Sequence, residues 1–319
     1  MRVLVLGLGS IGARHARNFR ALGVAEVSGF DPEAERRERH ARETGGPAFA
    51  SLDEALDRRP DLVVVASPNR FHLPQAFAAA ERGAALFIEK PIGTDLAEAE
   101  RLAALIAARG LYCHCGSNWK FHPAFTTMRD WLAEGAIGAM TAIQALAGQW
   151  LPDWHPWEDY RRGYSARADL GGGAVFDTHE LDYILWLAGP AAEFAGMIAR
   201  TGALPIETED NAAALLRMKN GALVTLHTDY IQRQGQRRYL IAGDRGTIEW
   251  TTRDGQVRLF TSKGENDRTV DARLADVNDM YVAQSRRVLA DLRSGGAPET
   301  PVDQMLRVLE LQLRWRGER

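Results

Sequence analysis

Three segments of this 319-residue chain carry residue types whose spacing could do chemistry. In the first, Gly7-Leu8-Gly9-Ser10-Ile11-Gly12 follows an apolar run and opens a helical pattern. Glycines so placed allow a tight turn, a close backbone approach to a pyrophosphate and close helix–strand packing, and the helix start offers N–H groups to an anion. Gly7, Gly9, Ser10, Ile11 and Gly12 are the candidate phosphate cradle. Asp31 lies 22 residues beyond Gly9, near the spacing of a carboxylate that hydrogen-bonds an adenosine ribose. A carboxylate there favours NAD, because it repels the 2′-phosphate of NADP. Arg36 and Arg37 could soften that preference and leave NADP possible, although their polar helix reads as solvated surface.

The second segment is Glu89-Lys90-Pro91, at the carboxyl end of a short strand over 85–88. Ligands of open α/β sheets bind outside that edge. Pro91 keeps Lys90 out of the helical region, which would fix an amine beside a nicotinamide ring. The run from Ala66 to His72 also ends a buried strand, so two loops converge on one edge.

The third segment is His179-Glu180-Leu181-Asp182, shortly after Gly171-Gly172-Gly173. Oxidising an alcohol removes a hydride and a hydroxyl proton together, and histidine suits the proton step at neutral pH. On a helix, His179 and Asp182 share one face while Leu181, Ile184 and Leu185 pack inward. Asp182 would touch substrate hydroxyls or orient the imidazole. Asp177 is about 200° round a helix from His179 and reads better as an N-cap, with Glu180 as its capping-box partner.

These groups need elements to hold them. Up to Asn118, strands at 3–6, 24–30, 62–66, 85–88 and 111–116 alternate with helices at 11–22, 33–43, 52–57, 73–82 and 96–109. That rhythm predicts an α/β fold with a doubly wound parallel Rossmann sheet over 1–118. Beyond it, helices are predicted at 123–134, 178–187, 280–292 and 302–314. Strands are predicted near 140–147, 194–201, 211–218, 222–231, 237–241, 247–252 and 256–260. Asn220-Gly221 and Asp254-Gly255 mark hairpins. Residues 119–319 are therefore expected to form a second, α+β domain on a largely antiparallel open sheet, binding substrate and forming an oligomer.

The segments GLGSIGARHAR, SPNRFH, EKP, GSNWKFHP and GGGAVFDTHELD together resemble the Gfo/Idh/MocA family of nicotinamide-dependent oxidoreductases, over essentially the whole chain. The resemblance implies hydride transfer between nicotinamide and a carbohydrate or carbohydrate-derived hydroxyl or ketone. It implies that Lys90 is catalytic and works with His179. Glu89 and Pro91 would shape the nicotinamide pocket, Ser67, Pro68, Asn69 and His72 would line the cofactor, and Asn118 would lie where cofactor meets substrate. One departure stands out: many members carry an aspartate one turn before the histidine, where this chain has Val175. The aromatic run from Gln149 to Tyr164 resembles the substrate loop of a subset found with surface-sugar biosynthesis. Trp154, Tyr160, Arg161 and Tyr164 are its candidate ligand contacts, since aromatic faces stack on sugar rings. Two other activities are compatible with the same motifs: a non-catalytic dinucleotide sensor, and a lyase or glycosidase using NAD for a transient oxidation.

Composition narrows the partners. A net charge of −3, with no basic stripe, argues against a nucleic-acid partner, and no apolar run approaches the length of a membrane span. The first apolar stretch meets a glycine turn at once, unlike a signal peptide, so a cytoplasmic enzyme is expected. Cys113 and Cys115 lack the further ligands a zinc site needs and read as buried small hydrophobes, while His122, His155 and His227 read as ordinary polar or loop histidines. An exposed sheet face would need covering, which points to a homodimer or homotetramer.

Overall fold

Two runs without a polar side chain set the first sheet. In this computed structural model, which describes residues 1–154 and 159–318, Val3–Leu6 and Leu62–Val65 are fully buried. Strands covered on both faces must be apolar throughout. In chain order the elements are β1 (Arg2–Leu6), α1 (Ser10–Ala21), β2 (Glu26–Phe30), α2 (Ala34–Thr44), β3 (Ala48–Phe49), α3 (Leu52–Asp57), β4 (Leu62–Val65), α4 (His72–Glu81), β5 (Ala85–Ile88), α5 (Leu96–Ala108) and β6 (Cys113–Cys115). There follow α6 (Pro123–Ala133), β7 (Met140–Gly148), α7 (Ala174–Asp177), α8 (Glu180–Ala188), β8 (Ala191–Ala199), β9 (Asn211–Met218), β10 (Leu223–Asp229), β11 (Gln236–Gly243), β12 (Gly246–Thr251), β13 (Gln256–Thr261), β14 (Arg268–Asp271), α9 (Asn278–Ser294) and α10 (Val302–Arg316).

One compact unit comprises Met1–Asn118 with Val277–Leu309. Its six strands run parallel in the order β3-β2-β1-β4-β5-β6. Ser51 and Asp95 start α3 and α5 by accepting the N–H groups of Glu54 and Glu98. The expectation that 119–319 forms one unit is corrected here. Val288 and Leu289 of α9 join the core of Val3, Val5, Leu62 and Val64, which draws Val277–Leu309 to the Rossmann sheet.

The other unit runs over Trp119–Asp276 and resumes at Glu310. Its eight-stranded sheet has the order β14-β13-β12-β11-β7-β10-β9-β8. All neighbours are antiparallel except β7 and β10, so the sheet is mixed but largely antiparallel. Ala212, Ala214, Leu216 and Met218 alternate inward along β9, as a sheet with one covered face requires. Both hairpin turns form where expected, with Gly221 and Gly255 at positive φ.

The helix expected over 178–187 forms as α8, and a short helix not expected from the sequence, α7, precedes it, with Thr178 between them extended at ψ 139°. Two strands escaped the sequence: β3 has two residues, and the exposed edge strand β14 shows no inward–outward alternation to read. Among the described residues no helix is long and apolar enough to cross a membrane, and no cluster of three or more His, Cys, Asp or Glu could hold a metal ion.

Candidate active site

The cradle begins where β1 ends. Gly7 has φ +85°, and a Cβ there would lie 2.7 Å from the Ser67 Cα; one on Gly12 would lie 1.7 Å from the Gly7 carbonyl oxygen. Only glycine lets these backbones close. α1 starts at Gly9 with no side-chain cap and no acid in its first turn, so the helix start remains suited to an anion. Asp31, at the end of β2, is tied into the same loop: its carboxylate accepts from Leu8 N–H at 2.8 Å and Glu33 N–H at 2.9 Å. Arg36 reaches that carboxylate at 3.6 Å and pairs with Glu33, so it is not the detached surface charge the sequence implied.

Next along the sheet edge, the loop after β4 places Ser67, Pro68 and Asn69. The Ser67 hydroxyl donates to Gln75 Oε1 at 2.8 Å, and Asn69 is buried. His72, expected to line the cofactor, joins this loop to the next. Its ring is buried, and its two nitrogens face the carbonyl oxygens of Pro91 and Ser67 at 2.7 Å each. It clips two loops together and keeps no nitrogen for a ligand. Burial pushes this imidazole below its ordinary value, against the pull of the two carbonyls.

Glu89-Lys90-Pro91 follows β5, with a cis Lys90–Pro91 bond. The Glu89 N–H donates to the Val65 carbonyl at 2.9 Å, which extends the ladder to Lys90. Burial alone would push the Glu89 carboxyl up, but the hydrogen bond and charge of His15, with Lys90, hold it below the usual carboxylate value. Asn118 is buried at the end of this unit's first segment. The glycine loop, Ser67, Pro91 and Lys90 thus form one continuous edge at the carboxyl ends of adjacent parallel strands.

In the other unit, His179 stands at the first position before α8 with its ring stacked on Tyr183, centroids 5.7 Å apart. Asp182 is buried, and its Oδ1 accepts from the buried Lys120 ammonium at 2.9 Å. The capping box assigned to Asp177 and Glu180 is also corrected. With Thr178 extended, Asp177 ends α7, and its Oδ2 accepts from the Ser165 hydroxyl and the Tyr230 phenol at 2.5 Å each. Burial, then the nearby Asp177 carboxylate, pushes that phenol up. Glu180 caps backwards instead: its Oε2 accepts from the Thr178 hydroxyl at 2.7 Å and the His179 N–H at 3.2 Å, and its Oε1 pairs with Arg237.

In the aromatic segment, Trp154 packs edge-on to Tyr230 at 5.4 Å, and Trp154 and Tyr160 lie against the cluster of Leu151, Ala174, Leu204 and Tyr230. Arg161 is exposed and bonded to Asp159 at 2.8 Å, while Tyr164 is half-buried. His155, Pro156, Trp157 and Glu158 lie outside the described residues. His122 caps α6, and His227 pairs with Asp229 at 2.9 Å.

Residues 1–117 match an oxidoreductase family model with an NAD-binding Rossmann fold, and residues 125–249 match the GFO/IDH/MocA C-terminal domain. The chain belongs to the Gfo/Idh/MocA family. It is 28% identical over 257 residues to myo-inositol dehydrogenase Hyg17 of Streptomyces leeuwenhoekii, covering 78% of this chain and 76% of that one. It is 25% identical over 313 residues to myo-inositol 2-dehydrogenase of Thermotoga maritima, covering 93% and 90%. The solved UDP-N-acetylglucosamine 3-dehydrogenase GnnA of Acidithiobacillus ferrooxidans matches in fold at TM-score 0.83, with 24% identity over 99% of this chain and 97% of its own.

The motif reading of this Gfo/Idh/MocA protein missed four site residues. His15 sits against Glu89 at 2.6 Å, Lys120 holds Asp182, and Arg237 lies 3.9 Å from the Trp119 ring centre while pairing with Glu180. Tyr230 reaches Asp177. His15 and Lys120 stand inside the quoted GLGSIGARHAR and GSNWKFHP segments, which was the available signal. Nothing in the spacing marks Arg237 or Tyr230.

Proposed function

We propose that this protein is an NAD-dependent dehydrogenase or reductase acting on the C–H(OH) group of a carbohydrate or carbohydrate derivative. The observation that carries it is the continuous edge from the glycine loop through Ser67 and Pro91 to Lys90. The cradle residues fit a dinucleotide: an uncapped helix start for the pyrophosphate, and Asp31 with oxygens directed at the same loop. When bound, the nicotinamide supplies hydride exchange. The chain's own part is to bind and orient and to manage the proton. The Lys90 ammonium donates to the substrate oxygen and stabilises its developing negative charge. The His179 imidazole takes the hydroxyl proton during oxidation and returns it during reduction. Ser67, Pro68 and Asn69 wall the cofactor, Asn118 adds a polar contact, and Trp154, Tyr160, Arg161 and Tyr164 contribute to sugar recognition from the aromatic segment. Asp182 acts through its ion pair.

The relatives' names, inositol and sugar-nucleotide dehydrogenases, favour net hydride transfer over a silent sensor or a lyase or glycosidase with transient oxidation. Two buried free thiols suit a reducing compartment and a cytoplasmic enzyme. Met197 (79% exposed), Leu215 (52%) and Leu223 (45%) on β8, β9 and β10 support a homodimer or homotetramer, which light scattering would test against a monomer.

The direct test is a panel of free sugars, polyols and sugar nucleotides assayed for reduced-nicotinamide absorbance. With the best substrate, Lys90→Ala and His179→Ala should each lower kcat by about two to four orders of magnitude. Full activity in either variant removes that residue from the reaction, and cofactor binding without turnover on any substrate supports the sensor.

A further inference from the structure

His15 is a buried ionisable group to which the proposed reaction gives no task. It lies three residues past Gly12 in α1, the helix whose start forms the cradle. Its side chain is fully buried with Nε2 2.6 Å from Glu89 Oε1. Phe87 meets the ring edge-on at 4.8 Å and Tyr281 at 6.0 Å. Nδ1 has no hydrogen-bond partner among the described residues, so the carboxylate is the contact that orients the ring. Glu89 is confined from the opposite side as well. A Cβ on Gly116 would lie 2.5 Å from Glu89 Oε2, and that same oxygen accepts from the Lys90 N–H at 3.2 Å.

We propose that His15 is a positioning residue for Lys90, acting through the Glu89 carboxylate. The helix that receives the pyrophosphate then also fixes the place of the amine. This rests on the reading of Lys90 as catalytic. The physical reason is the cost to a largely buried carboxylate, 14% exposed, of losing a partner. Without the imidazole, Glu89 must turn away or take up a proton, and either change alters the backbone anchor and the charge beside Lys90.

The experiment uses the full chain with NAD and the best substrate of the panel. His15→Leu should lower kcat about 10-fold or more, the scale of a small misplacement of a reacting group, while KM for NAD changes less than about threefold. His15→Gln keeps an N–H donor for Glu89 and should recover most of that loss. Glu89→Gln should also slow the enzyme, and adding His15→Leu to it should cause little further loss, as coupled residues do. Three results overturn the proposal: His15→Leu within twofold of the parent, His15→Gln as slow as His15→Leu, or losses that multiply in the double variant. If His15→Leu fails to fold, Glu89→Gln decides alone, and an unchanged kcat there overturns it. An active Lys90→Ala sinks the underlying reading instead, whereas an inactive Lys90→Ala beside an active His15→Leu sinks this inference only.

Discussion

Asp31→Ser separates the two adenosine-end cofactors by a ratio that the structure lets one estimate. The Asp31 carboxylate accepts from Leu8 N–H at 2.8 Å and Glu33 N–H at 2.9 Å, with Arg36 at 3.6 Å. Removing it deletes the acceptor proposed for the ribose hydroxyls. A hydrogen bond to a charged group contributes about 1.5–3 kcal/mol, so kcat/KM for NAD should fall roughly 10- to 100-fold. The loop N–H groups lose their acceptor too, but that penalty falls on NAD and NADP alike and cancels in the ratio. For NADP the substitution removes a like charge from the 2′-phosphate and releases Arg36 to meet it. With Arg36 itself exposed, this adds about 1 kcal/mol, or fivefold. The NAD/NADP ratio of kcat/KM should therefore swing on the order of a hundredfold toward NADP. Initial rates with each cofactor at saturating sugar measure it. A ratio unchanged within threefold would show that Asp31 does not read the ribose, and a parent enzyme that prefers NADP would refute the sign of the argument.

Two further outcomes concern the α+β unit. Lys120→Met leaves the buried Asp182 carboxylate without its cation and should cost about 3–5 kcal/mol in urea unfolding, whereas Lys120→Met with Asp182→Asn should recover much of that; a single-variant cost below 1 kcal/mol would mean that the pair is well hydrated. His122 is pushed from its ordinary 6.5 to about 4 by burial and by the Arg237 charge. Between those values the unfolded chain binds the proton and the folded chain does not, so stability is intact above pH 6.5 and falls as pH drops toward 4. From pH 7 to 4.5 that contribution is about 2 kcal/mol, and His122→Asn, which keeps a cap for α6, should reduce the loss read in urea titrations at the two pH values by about that amount.

The Rossmann unit was legible because its physics is local. Val3–Leu6 and Leu62–Val65 are apolar at every position since both faces are covered, and the glycine turn sits directly between strand and helix. Once adjacent parallel strands are assigned, the convergence of Gly7, Ser67 and Lys90 at one edge follows from topology alone. The short helix α7 was not legible, because Asp177 reads as an N-cap unless its commitment to Ser165 and Tyr230 is known. The same limit explains α9: its apolar stripe is plain in the sequence, but which sheet it covers is decided by packing with Val3 and Val64.

The site residues that were missed share a property. His15 and Glu89 are 74 positions apart, Lys120 and Asp182 62, and Glu180 and Arg237 57. Motif spacing reports neighbours along an element, and these pairs join different elements. The carboxylate three residues after His179 was therefore assigned, on type and helical phase, to substrate hydroxyls or to orienting the imidazole. Its burial adds a demand that spacing does not show: a nearly inaccessible carboxylate needs a compensating partner within the protein, and Lys120 is one. A substrate hydroxyl approaching Asp182 would have to compete with an ammonium already 2.9 Å away. Groups that can recognise a sugar without such competition have to be more accessible, which directs attention to half-exposed side chains such as His179, Tyr160 and Tyr164 and makes the Lys120–Asp182 pair the scaffold of α8.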